Sequence, residues 1–320
     1  MAKVQRSLAG QVVAITGGGR GIGRATAAAL IARGARVGIG DIEAQLAEQT
    51  AAELGSGTVG LALDVTNRES FAAFLDGIEG RFGPIDVLIN NAGIMPVGPF
   101  PAETDATAKR LVDINVHGVI FGSKLALERF SSRGRGHLVN IASIVGKSAS
   151  PHLATYVATK HAVVGLTEAL RVEFAGTGID FTVVMPIGVN TELYSGLQPL
   201  RGMKTPEPED VADAIVEALE TGRYEVYIPK RMNAIIRMSA LIPRKAQDFL
   251  GTALGADVVT RPDHATRAAY EQRIAQTMVA TQPTDPKPEP PETEAAPETE
   301  PAPEAEPVPQ AEPAREAEPV

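Results

Sequence analysis

Residues 11–34 read QVVAITGGGRGIGRATAAALIARG, and this stretch decides the fold. An apolar run, QVVAIT, passes directly into a glycine turn, Thr16 to Gly23, and then into a stretch of helix formers. A short run that is apolar on nearly every residue predicts a strand covered on both faces, which is the habit of a parallel strand. Gly17, Gly21 and Gly23 let the backbone turn sharply and approach a diphosphate, while the free N–H groups and positive end of the helix behind them favour an anion. Many glycine turns bind nothing. This one sits at the first strand-to-helix junction, where phosphate binding needs it, and Gly19, Arg20 and Ile22 belong to the same expected contact set.

Outward from the turn, the strand-then-helix rhythm repeats. The segments 35–40, 59–64, 85–90, 136–143, 179–185 and 224–228 read as further buried strands, and 22–33, 43–54, 67–81, 105–131, 153–175 and 208–220 as helices. The expected fold is α/β, a Rossmann-type doubly wound parallel sheet of about seven strands with helices on both faces. No internal repeat is visible. Residues 1–229 form the expected dinucleotide-binding catalytic domain. Residues 230–280 are expected to be a helical extension that covers the substrate site or contacts a membrane or a subunit.

Residues 281–320 are different in kind. They hold 12 of the 24 prolines, and their eleven acids against two bases carry the whole net charge of −9, leaving 28 acids and 28 bases in the rest. With no aromatic residue, this segment buries too little apolar area to offset a chain-ordering cost of roughly 1–2 kcal/mol per residue, so a disordered acidic tail is expected, a spacer or a docking segment for a basic partner. Cysteine is absent, which excludes disulfides and thiolate chemistry. No apolar signal core precedes the first strand and no uncharged run approaches the roughly 18 residues that cross a bilayer, so a cytoplasmic protein is expected, with surface attachment to a membrane left open. Nothing points to nucleic acid. The five histidines show no metal-ligand spacing, and no metal is expected.

Asp41 ends the second strand, 18 residues beyond Gly23. A carboxylate there accepts from the adenosine ribose hydroxyls and repels a 2′-phosphate, which favours NAD over NADP, whereas Arg20 beside the turn argues for a phosphate partner. Asp64, with Val65, is placed to meet the adenine edge; the competing reading is a cap for the helix starting near Asn67. Tyr156 and Lys160 stand four apart in TYVATK, on one helix face. A phenol with a reference pKa near 10 needs about 4 kcal/mol to drop roughly 3 units, which a nearby ammonium and a positive nicotinamide can supply. Ser143 lies at the carboxyl end of the fifth strand, the sheet edge where such folds bind ligands.

TGGGRGIG, NNAG at 90–93, Asn115 in DINVHG, Ser143 and the Tyr156–Lys160 pair, in this order and at these intervals, resemble the short-chain dehydrogenase/reductase family over about residues 8–230. The resemblance implies that Asn115 positions Lys160 through a water. It also implies that Asn90, Asn91, Ala92 and Gly93 line the cofactor cleft, and that Pro186, the Val189 backbone and the Thr191 hydroxyl in PIGVNT meet the nicotinamide carboxamide. The family commonly has glycine directly after that proline; here Ile187 precedes Gly188. In the expected reaction Tyr156 takes the hydroxyl proton as hydride leaves the carbinol carbon, Ser143 steadies the oxygen and Lys160 lowers the tyrosine pKa and holds the ribose.

Ile144, Val145 and Leu153, with Leu193, Tyr194, Leu197, Leu200 and Met203, are the expected substrate contacts, and His152 lies in the same loop. Their apolar character favours a small lipophilic alcohol or ketone over a sugar phosphate. Between 230 and 250, five basic residues alternate with apolar ones, the pattern of an amphipathic helix at an anionic membrane interface or over a pocket mouth. The apolar surface of 105–131 and 153–175 suits pairing into a homodimer or homotetramer. Two other functions fit the same text: an NADPH-linked keto-reductase, and a dinucleotide-sensing interaction protein.

Overall fold

The computed structural model describes residues 6–199, 202–239, 241–243, 245–246 and 262–280. The expected acidic tail at 281–320 and the middle of the 230–280 extension lie outside them, as does Leu200. Seven parallel strands form one sheet: β1 (Val12–Thr16), β2 (Arg36–Asp41), β3 (Thr58–Ala62), β4 (Val87–Asn90), β5 (Gly136–Ile141), β6 (Ile179–Pro186) and β7 (Glu225–Ile228). Their order is β3-β2-β1-β4-β5-β6-β7, so the chain reverses its winding between β1 and β4. That is the switch point where open α/β sheets bind ligands, at the carboxyl ends of the strands.

Both sheet faces are covered, and the pleat shows why. Val13 and Ile15 of β1 pack into one core with Leu30 of α1 (Gly21–Ile31) and Val211 and Ile215, while Val12 and Ala14 enter a second core on the other face with Phe71, Phe74 and Phe130. The remaining helices are α2 (Ala44–Leu54), α3 (Arg68–Phe82), α4 (Asp105–Val112), α5 (Gly118–Arg133), α6 (Ala154–Glu173), α7 (Pro208–Thr221), α8 (Met232–Ser239) and α9 (His264–Ala280). Local chemistry sets their ends. The Asn67 side chain accepts from Ser70 N–H (2.8 Å) at the start of α3, Glu207 and Asp210 form a capping box on α7, and Gly134 and Gly222 end α5 and α7 in the left-handed region.

Two expectations need correction. The single helix expected at 105–131 is broken by a π turn, Asp113–His117, between α4 and α5. β3 is an edge strand whose residues stay partly exposed, and it ends at Ala62, so Asp64 lies beyond it. In the basic stretch 230–250, residues 232–239 form α8, and 240, 244 and 247–250 lie outside the described residues.

Candidate active site

A cavity of about 410 Å³ opens at the switch point. One end is the glycine turn. Gly17 and Gly21 have φ of +63° and +52°, which glycine alone adopts at little cost. A Cβ on Gly23 would sit 2.3 Å from the Gly17 carbonyl oxygen, so the first turn of α1 lies flush on the loop and bare backbone faces the cavity. Asn91 locks that loop from beneath: its side-chain amide donates to the carbonyls of Thr16 (2.9 Å) and Gly17 (3.0 Å), and the Thr16 hydroxyl accepts from Asn91 and Ala92 N–H (both 2.9 Å). Gly17, Arg20, Gly21, Ile22, Asn91, Ala92 and Gly93 line the cavity, and Gly19 and Gly23 do not. Asn90 does not reach it. That side chain is buried, donating to Asn140 (2.9 Å), so the expectation that it lines the cleft fails.

Asp41 is 8% exposed and accepts from Gly19 N–H (3.1 Å) and Glu43 N–H (3.2 Å). Burial pushes its carboxyl above the ordinary range, and the two backbone donors and Arg20 oppose that. The guanidinium of Arg20 is engaged by two acids, Glu43 (2.5 Å) and Glu192 (3.2 Å). Asp64 and Val65 line the cavity, with one Asp64 oxygen accepting from the N–H (2.9 Å) and hydroxyl (2.7 Å) of Thr66; the cap of α3 is Asn67.

At the other end, α6 buries Tyr156 and Lys160 one turn apart, with the ammonium 5.6 Å from the centre of the phenol ring. Lys160, 5% exposed, donates to the Ile141 carbonyl at the end of β5 (3.0 Å). Ser143, two residues further on, donates to the Pro186 carbonyl (3.3 Å) and lines the same cavity as Tyr156. Burial lowers Lys160 to about 8. It also raises the Tyr156 phenol, with Tyr270 adding to the rise and Ser143 opposing it. The polypeptide by itself thus moves the phenol in the opposite direction from the expected one, and only the lysine shifts toward neutrality.

The buried amide of Asn115 sits in the π turn and holds the main chain of Ile94, accepting from its N–H and donating to its carbonyl (both 3.0 Å). Asn115 therefore stands behind the cavity wall, beside Gly93 and Thr159. Pro186, Val189 and Thr191 line the cavity beside the glycine turn. The displaced glycine of PIGVNT has a packing cause: a Cβ on Gly188 would lie 2.2 Å from the Tyr194 ring, while Ile187 is buried in the core.

Ile144, Val145, Leu153, Leu193 and Tyr194 line the apolar part. Leu197 packs behind them, and Met203 lines a small separate crevice with Tyr194. His152 adopts φ +62° and its carbonyl accepts from Gly98 N–H (3.1 Å), tying two pocket loops together. Sequence reasoning missed Arg110, Tyr270, Arg273 and Ile274, which also line the cavity. Among the described residues no acidic or histidine cluster is arranged for a metal, and His137 is a core residue hydrogen-bonded to Thr182 (2.8 Å).

The fold and pocket define a doubly wound α/β protein with its cavity at the switch point. Residues 11–200, more than half of the chain, match the family described as short chain dehydrogenase, and the chain belongs to that family of oxidoreductases. Among its relatives, 2-(S)-hydroxypropyl-CoM dehydrogenase 3 of Xanthobacter autotrophicus is 35% identical over 228 residues, 65% of this chain and 89% of the relative. 17-beta-hydroxysteroid dehydrogenase 13 of Homo sapiens is 28% identical over 252 residues, covering 77% and 84%. A solved short-chain dehydrogenase/reductase from Burkholderia phymatum in complex with NAD superposes with a TM-score of 0.67 at 27% identity, over 73% of this chain and 94% of that one.

Proposed function

We propose that this protein is an NAD-dependent dehydrogenase that moves a hydride between NAD and a lipophilic secondary alcohol or ketone. The observation that carries the proposal is the convergence of Ser143, Tyr156 and Lys160 on one cavity with a glycine turn of bare backbone. The turn and the N-terminus of α1 suit a diphosphate, Asp41 suits ribose hydroxyls, and the Val189–Thr191 segment suits a carboxamide. Asp41 and Glu43 bring two carboxylates to the cavity lining, and Arg20 is already held by acids, so the choice of NAD over NADP rests on charge. The structural relative in complex with NAD supports the same cofactor.

A bound nicotinamide would supply the two-electron acceptor. Tyr156 accepts the hydroxyl proton, Ser143 holds the substrate oxygen, and Lys160 offers the positive charge that stabilises a phenolate. Because burial alone raises the phenol, that stabilisation has to come from Lys160 in its protonated form together with the cationic ring, each pKa unit being worth about 1.4 kcal/mol. The apolar lining selects lipophilic substrates. The test is a panel of secondary alcohols, sterols and retinoids assayed for reduced-cofactor formation with NAD and with NADP. NAD-linked oxidation is expected; turnover confined to NADP would overturn the cofactor choice, and no turnover on any alcohol or ketone in either direction would overturn the function.

A further inference from the structure

The family match ends at residue 200, yet α9, far beyond it, forms part of the pocket wall. Arg267 of α9 is 0% exposed. Its guanidinium donates to the carbonyls of Leu193 (3.1 Å), Ser195 (3.0 Å) and Met95, and its Nε pairs with Glu271 (3.2 Å). A buried cation is costly unless its fork is satisfied, and here the fork is spent on main chain from two separate loops. Gly196 marks the closeness of the contact: its φ is +71°, and a Cβ there would lie 2.6 Å from the Asp263 carbonyl oxygen.

Tyr270, three residues on, is buried against the same wall. Its hydroxyl oxygen accepts from Met95 N–H (2.9 Å), so one residue of the loop has its N–H and its carbonyl both held by α9. The preceding residue, Ile94, has both groups held by Asn115 from the opposite side. The Tyr270 hydroxyl proton has no acceptor among the described residues, and Tyr270 lines the cavity that Tyr156 lines. Tyr270 adds to the cost of ionising Tyr156.

We propose that α9 is the specificity wall of this pocket: Tyr270 donates its hydroxyl proton to a second oxygen on the substrate, and Arg267 is a positioning residue that holds the two loops carrying the other substrate contacts. The inference deepens the proposed function by naming a substrate class, molecules with an acceptor oxygen remote from the reacting carbon. No bond forms or breaks at Tyr270.

The test is binding, so that it stands apart from turnover. Calorimetry on the full chain saturated with NADH would compare a decalin monoketone with the matching decalin diketone, in wild type, Tyr270→Phe and Arg267→Met. Wild type is expected to prefer the diketone by about tenfold, about the value of one net hydrogen bond. Tyr270→Phe is expected to abolish that preference while leaving monoketone affinity within about twofold. Arg267→Met is expected to weaken both ketones and leave NADH affinity unchanged, because Arg267 touches neither the glycine turn nor Asp41. Equal loss of both ketones in Tyr270→Phe, or an unchanged preference, would overturn the role of Tyr270. Parallel loss of NADH affinity in Arg267→Met would reduce Arg267 to a general structural part and overturn its positioning role. Failure of wild type to oxidise any alcohol would strike the proposed function, while the binding preference would still be readable.

Discussion

Lys160 is a cation the fold makes expensive. Its folded pKa of about 8 against 10.5 for a free lysine means that the folded state binds fewer protons than the unfolded chain between these values. Stability therefore rises with pH across that window and is lost as pH falls through about 8, a penalty of about 3 kcal/mol at neutral pH. Lys160→Met is expected to be more stable than wild type at pH 7 and to show a smaller gain between pH 7 and 9.5 in urea unfolding; an identical pH slope would show that the burial costs nothing. Tyr156, whose shift is upward, works in the opposite sense only in strongly alkaline solution. At the other end of the cavity, Asp41→Ala removes a carboxylate from the proposed ribose site. NAD binding, read by quenching or calorimetry, is expected to weaken about tenfold, or ~1.4 kcal/mol, with NADP gaining. Unchanged discrimination would shift the credit to Glu43. These single residues were legible in the sequence because each stands beside a glycine turn, at a strand end or at a helical spacing of four.

At the scale of elements, the strands were legible to within two residues at their ends because their apolar runs are short and bounded by glycine or polar residues. The π turn was not. The apolar period runs through DINVHG without interruption, and what breaks the helix there is a tertiary demand, the Asn115 clamp on Ile94. Asn115→Ala leaves a buried N–H and carbonyl without partners and is expected to lower unfolding free energy by roughly 1–3 kcal/mol, measured by urea titration; a loss below a few tenths would mean that the loop finds new partners. Gly23→Ala places a Cβ against a backbone oxygen that cannot yield cheaply. NADH affinity is expected to fall by at least about tenfold in that variant, while the sheet remains folded by circular dichroism. The wall contributed by α9 was illegible for another reason: Tyr270 lies 175 residues from the Met95 backbone it serves, and no local pattern encodes such a pair.

For the whole molecule, the sheet fixes where ligands meet, and the periphery fixes what else the protein touches. No helix among the described residues is long and apolar enough to cross a membrane. On α8, Met238 is 68% exposed, and Leu241 just beyond is 86% exposed, beside the basic residues Arg231 and Arg237. If this face meets an anionic bilayer, the protein floats with phosphatidylserine vesicles and a variant lacking 230–250 does not; no flotation of either removes the membrane from the account and leaves a subunit contact, checked by light scattering for a dimer or tetramer. Everything else rests on the proposed exchange of a proton between buried Tyr156 and substrate. The most direct measurement is Tyr156→Phe assayed in parallel for NADH binding by fluorescence quenching and for turnover of the best alcohol. Binding within about twofold of wild type with turnover reduced by about 10²- to 10⁴-fold is the predicted result, and wild-type turnover in that variant would contradict it.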